Sequence, residues 1–249
     1  MKKSLAILAV FFALSISAGA ENGFMFVRTL RGNAEISAQN AKLKTGDVAV
    51  AKNAEISVKD GGFASVALSN YSSCMVLSGK VSIGNFGQEK VQTASLPLHS
   101  EMASSNIEFA IEEGEAVFAR GEFRPASSFK IKTKFGTIEP VGNNIKIKIG
   151  GSTLSACAYD AAIRYSKPDS DEQEYIPIGY ELVCSIENGK LKTEKKQTSI
   201  SQKAKLKSDA SSASDAFKNT EFYCDKNGKI SARRIAFKEF FIRMRDPIR

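Results

Sequence analysis

The chain has no tryptophan and a single histidine, His99, so imidazole chemistry has one candidate only. That histidine stands in the polar stretch LPLHSEMASS with Ser100 and Glu101 next to it. Neighbours in sequence do not make a catalytic triad, which needs separate elements converging in space. His99 therefore reads as a loop residue. Cysteine is scarce and scattered: Cys74, Cys157, Cys184 and Cys224 are far apart and no CxxC pair occurs. With one histidine beside them, this excludes the common zinc frameworks. There is no glycine-rich phosphate loop and no nucleophile elbow. The turn Asp225-Lys226-Asn227-Gly228 invites comparison with a calcium loop. Setting Gly228 at the sixth position, however, puts Tyr223 and Arg234 at the two ends, where a hard cation needs carboxylate oxygens. Glu112, Glu113 and Glu115 are the one close set of acids that could serve glycoside hydrolysis. They flank Gly114 and read as turn composition. No catalytic residue, metal ligand or cofactor is expected.

Long apolar runs are also missing, except at the start. Lys2 and Lys3 precede the run LAILAVFFALSI at 5–16, and Ala18-Gly19-Ala20 follows. A basic start, a short apolar stretch and small residues form a cleavable signal peptide, with cleavage expected after Ala20. The run is shorter than the ~20 residues a membrane-crossing helix needs. The expected location is periplasmic or extracellular. In an exported chain an even number of cysteines favours disulfides. Cys157–Cys184 is the expected pair, since both lie on late strands of one β unit; the alternative is that some are buried thiols acting as small hydrophobes.

Charge is unevenly spread. Residues 190–249 hold sixteen Lys and Arg against seven Asp and Glu, whereas residues 21–189 hold seventeen against twenty. This predicts a near-neutral body with a basic appendage. The body reads as short strands between turn residues: FMFVRTLRG, AEISA, VAVAKNAEISVKDGG, FASVALSN and CMVLSGKVSIG, with Gly32-Asn33, Gly46-Asp47, Asp60-Gly61-Gly62 and Ser69-Asn70 as corners. In FASVALS, alanines alternate with Phe63, Val66 and Leu68, as on a strand well covered on one face and loosely on the other. After a polar stretch at 87–106, strands resume at IEFAIEEGEAVFARG. FKIKTK and IKIKI carry the clearest period of two, and their lysines are expected to form a solvated outer face. An acidic loop at 166–174 precedes YIPIGYELVCSIENGK, which closes the β region.

Residues 191–213, rich in Lys, Ser and Gln, read as a linker. A basic helical extension is expected at 214–249: a short helix capped by Ser214, then an amphipathic helix SARRIAFKEFFIRMR whose apolar face holds Ile235, Phe237, Phe240, Phe241 and Met244.

Six pieces in order carry a family resemblance: VRTLRGNAEI, LKTGDVAV, AEISVKDGGFASVALSN, FAIEEGEAVFARG, SSFKIKTKFGTIEPVGNNIKIKI and IPIGYELVCSIENGK. Over residues 21–190 the chain resembles FecR-type domains, a family that includes the periplasmic half of regulators relaying siderophore uptake to sigma factors, and stand-alone exported relatives. Val141-Gly142-Asn143-Asn144 departs from the Gly-Thr-x-Phe that the family carries there. No anti-sigma segment or membrane helix is expected ahead of the domain, unlike in the transmembrane regulators. The resemblance implies an all-β fold of short strands, solenoid or sandwich, with no catalytic residues to transfer. The expected function is therefore that of a non-enzymatic envelope module binding another envelope protein or a polysaccharide, with no nucleic acid. The alternatives are a secreted glycan-active enzyme using the Glu112 region, and a peripheral membrane protein held by the basic C-terminal helix.

Overall fold

The computed structural model describes residues 21–91, 101, 103–168, 170 and 172–235. The proposed signal peptide, His99 and most of the C-terminal apolar set lie outside the described residues. What is described is an all-β body with one helix on its outside.

The strands fall into two layers. The first layer runs β5 (Val48–Val50), β2 (Phe24–Arg31), β7 (Phe63–Leu68), the first half of β8 (Ser72–Gln88), the second half of β9 (Ser105–Arg120), β12 (Asn144–Gly150), β13 (Thr153–Ala158), β16 (Tyr180–Glu187) and β17 (Lys190–Gln197). The second runs β4 (Ala41–Leu43), β3 (Ala34–Ala38), β6 (Ala54–Val58), the second half of β8, the first half of β9, β10 (Ser128–Thr133), β11 (Gly136–Pro140), β14 (Ile163–Ser166) and β15 (Gln173–Ile176). A two-residue strand, β1 (Glu21–Asn22), pairs with the end of β8. All neighbours are antiparallel except β9 and β10.

The layers are two halves of one folded sheet. Strands β8 and β9 pair along their length and belong to both layers. Phe109 and Phe118 lie nine residues apart on β9, yet their ring centroids are 4.8 Å apart. An extended strand would separate them by about 30 Å, so β9 turns back on itself between them. The layers close over one apolar core that includes Met25, Ile56, Phe86, Phe109, Phe118, Ile131, Ile147 and Leu182. The alternation seen in FKIKTK and IKIKI supplies its inward side chains: Phe129, Ile131, Ile145, Ile147 and Ile149 are all buried.

The expected linker at 191–213 is a strand followed by a helix. Half-buried Leu191 and Thr193 give β17 a period of two, and the intervening lysines mark an edge strand. Helix α1 (Ile200–Lys218) then starts at Ser199 rather than near Ser214. Ser199 accepts from the Gln202 N–H while the Gln202 side chain caps the Ser199 N–H, a reciprocal capping box. Leu206, Ala210, Ala213 and Phe217 form its buried stripe. Ala213 and Phe217 cluster with Ala67, Met75, Val117 and Ala119 on the outside of the first layer. This is the face that FASVALS left loosely covered. The amphipathic helix expected from Ser231 is also corrected: 231–234 belongs to β19 (Ile230–Arg234), paired with β18 (Thr220–Cys224) through a turn at Asp225–Gly228. Residues 236–249 lie outside the described residues.

Candidate functional site

Cys157 and Cys184 stand on neighbouring strands but on opposite faces. In the β13–β16 register Leu154 faces Cys184, and Cys157 faces Glu181. Leu154, Ala156 and Ala158 point into the core with Cys184, so Cys157 points outward. Disulfide geometry holds the two Cβ atoms within about 4 Å, which a pair on two faces cannot reach. The expected bridge is therefore absent, and all four cysteines are free thiols. Burial pushes the Cys184 thiol up to about 11, and burial raises those of Cys74 and Cys157 as well.

Cys157 instead lines a cleft of about 350 Å³ between the start of α1 and the outer face of the first layer. Ser155 donates to Glu181, and Gln202 Nε2 donates to Glu181 Oε2 at 3.3 Å. Thr198 is close enough to favour the Cys157 thiolate. Its Oγ1 nonetheless meets no partner in hydrogen-bonding geometry among the described residues. Beside this cleft Lys146 Nζ lies 2.5 Å from Glu115 Oε1 and 2.6 Å from Asp209 Oδ2, joining β12, β9 and α1. The solvated face expected of the strand lysines holds at Lys130, Lys132 and Lys148, which are exposed. Lys146 departs from it because α1 lies over it. Burial alone would lower its pKa, but the hydrogen bonds and charges of Asp209 and Glu115 outweigh burial and raise it.

The acids of the expected turn sit in strand β9, where Gly114 is a bend within the strand. Glu112 and Glu113 are exposed. Glu113 pairs with Lys80 in register, and Glu115 is held by Lys146.

Another concavity, of about 570 Å³, is rich in arginine. Its floor holds Lys130 on β10, Glu139 on β11 and Arg164 on β14, in a row across adjacent strands of the second layer that Tyr175 on β15 continues beyond the lining. Glu139 is bracketed by Lys130 at 3.9 Å and Arg164 at 3.3 Å. Arg164 lies 5.6 Å from the Tyr175 ring centroid and donates from Nε to its hydroxyl at 3.2 Å. The wall is the segment after β9. Arg120 donates from Nε to Gly142 O at 2.8 Å and from one terminal nitrogen to Val141 O at 2.9 Å. Its guanidinium stacks 4.7 Å from the Phe123 centroid, and burial lowers its pKa against the pull of Asp160 and Glu101. Arg124 is exposed at the lip.

That wall is held from behind. Glu101 is 5% exposed and accepts from the Ser105 and Ser127 hydroxyls and from the Arg124 N–H at 3.0 Å. Hydrogen bonds to a carboxylate are the stronger kind, so this acid fixes the loop that presents Arg120 and Arg124. Sequence reading missed these residues. A signal was nevertheless present: residues 21–189 contain five arginines, and three of them, Arg120, Arg124 and Arg164, meet here.

Among the described residues no group of His, Cys, Asp and Glu gathers as a metal site, and no helix is long and apolar enough to cross a membrane. No family model matches the chain, and no curated protein matches it. Among solved structures, two crystal structures of a candidate anti-sigma factor from Parabacteroides distasonis are similar to it. One is 15% identical with a TM-score of 0.40, the other 14% identical with a TM-score of 0.41. Each comparison covers 57% of this chain and 60% of the other, so the chain spans less than two thirds of those proteins.

Proposed function

We propose that this chain is an exported, non-enzymatic binding module of the FecR type, whose arginine groove takes an envelope protein or a polysaccharide. The observation that carries the reading is the groove itself: side chains from four separate segments converge there, and ring stacking and hydrogen bonds hold Arg120 and Arg164 in place. Preorganised groups bind at lower entropic cost than mobile ones, and a rigid sheet beneath them is a scaffold for recognition. The basic, apolar and small-residue segments at 1–20 support export. The engagement of Glu115 by Lys146 supports a binding role over glycan hydrolysis.

The test is capture from an envelope fraction by the mature chain. The wild type recovers a protein or a glycan, and Arg124→Glu with Arg164→Glu loses it. Recovery of nothing by the wild type, or equal recovery by the variant, sinks the reading.

A further inference from the structure

We infer that the ligand of the arginine groove is an acidic polysaccharide; this rests on the binding-module reading and narrows its partner. Four cations, Arg120, Arg124, Lys130 and Arg164, line the groove against one acid, Glu139. Glu139 already neutralises part of Lys130 and Arg164. Arg120 spends two of its nitrogens on backbone carbonyls and keeps a third. The groove is left with outward-facing donors of one sign, and such donors favour an anion that can accept charge-assisted hydrogen bonds.

The geometry selects among polyanions. A peptide recognised through its backbone needs a free strand edge. Beneath the groove β10, β11 and β14 pair on both sides, and the edge left open among the described strands is that of β15, at the end of the row. A folded protein partner would seek an apolar pocket for its anchoring side chains; here Phe129 and Pro140 are buried in the floor, and Val141, 45% exposed on the wall, is a small anchor. What the groove offers instead is cations spaced along a flat row. Lys130 and Arg164 stand two strands apart, about 10 Å, a separation suited to acids carried on alternate sugar rings. Tyr175, 52% exposed, closes the row. Its free ring surface suits the C–H face of a sugar, and its hydroxyl is already engaged by Arg164.

The probe is polygalacturonate, titrated against the mature full chain, with dextran, poly-glutamate and a DNA oligonucleotide as alternatives. Polygalacturonate binds saturably and more weakly as salt rises. Arg124→Gln weakens it by about tenfold, the loss expected for one charge-assisted contact. Arg124 lies on the exposed lip, so that variant leaves folding intact. Lys59→Gln with Lys190→Gln removes more charge away from the groove and leaves affinity unchanged. Failure of polygalacturonate to bind, equal binding of poly-glutamate or DNA, or an equal loss in the distant lysine variant overturns the inference. Should envelope capture still depend on Arg124 and Arg164 while polygalacturonate fails, the module binds a protein or another glycan, and only the acidic-polysaccharide assignment falls.

Discussion

Gly79 and Gly114 face each other in the β8–β9 register, with φ of +82° and +99°. They mark the line along which the sheet folds over: β8 leaves β7 for β6 here, and β9 leaves β10 for β12. A Cβ on Gly79 would collide with the Glu113 carbonyl oxygen, and one on Gly114 with that of Ser78. Neither obstacle is a movable side chain. Gly114→Ala therefore adds left-handed strain to a backbone clash and costs about 3–5 kcal/mol by urea denaturation. Gly150→Ala is the control. No atom lies within 4 Å of its Cβ and its φ is not positive, so its stability stays within about 0.5 kcal/mol of the wild type. Equal effects at the two glycines contradict the folding line.

Near its C-terminal end helix α1 packs one large side chain, Phe217, onto the sheet among alanines. Phe217 is buried with Ala67, Met75, Val117 and Ala119. Phe217→Ala removes the fully buried ring of that cluster, against which Phe63 and Tyr71 also pack, and is expected to cost about 3–4 kcal/mol. Ser199→Ala breaks the capping box at the other end and costs about 1 kcal/mol. Denaturation measurements check both. If residues 191–213 were the linker their composition suggests, Ser199→Ala would leave stability unaltered.

The strands were legible because period-two alternation and glycine corners report directly on a half-buried backbone. Val27, Ile56, Phe129, Ile131, Ile147 and Leu182 all turned inward as their alternation requires. The helix was obscured because between Leu206 and Phe217 its buried stripe is built from Ala210, Ala213 and Ser214, small residues that carry little hydrophobic signal. Its start at Ser199-x-x-Gln202 was the readable sign. Composition also mistook β17 for linker, since an edge strand bears lysine for the same solvation reason a linker does. The groove could not be read locally. Arg120 and Arg164 lie 44 positions apart in the sequence and meet only through the β9–β12 and β11–β14 pairings. Glu101, whose burial depends on three partners from other segments, had no local signature either.

Register separates Cys157 from Cys184, so the four cysteines differ in access rather than pairing. Cys224 is exposed, Cys157 half-buried, Cys74 and Cys184 buried. In the native protein N-ethylmaleimide modifies Cys224 first and Cys157 slowly; Cys74 and Cys184 react only after unfolding. Intact mass after denaturation without reductant then shows four alkylated thiols. A mass two daltons lower per missing pair of labels would reveal a disulfide and contradict the register.

Lys146 ties the sheet to α1 through Glu115 and Asp209, with only 16% of its side chain exposed. Lys146→Met leaves two carboxylates facing each other without their cation and should cost about 2–3 kcal/mol at neutral pH. The pH dependence has a definite sign. The folded-state pKa of Lys146 is raised above the free lysine value of about 10.4. The unfolded chain therefore loses this proton first as pH climbs, and the contribution is complete below that value. It falls away as pH rises through the folded-state pKa. Wild type and Lys146→Met should thus differ by a constant amount near neutrality and converge in strong alkali. Asp209→Asn breaks the same link from the helix side, and the loss in the double variant should be smaller than the sum of the two single losses. Additive losses, or a gap that widens with rising pH, would show that this ammonium does not hold the helix to the sheet.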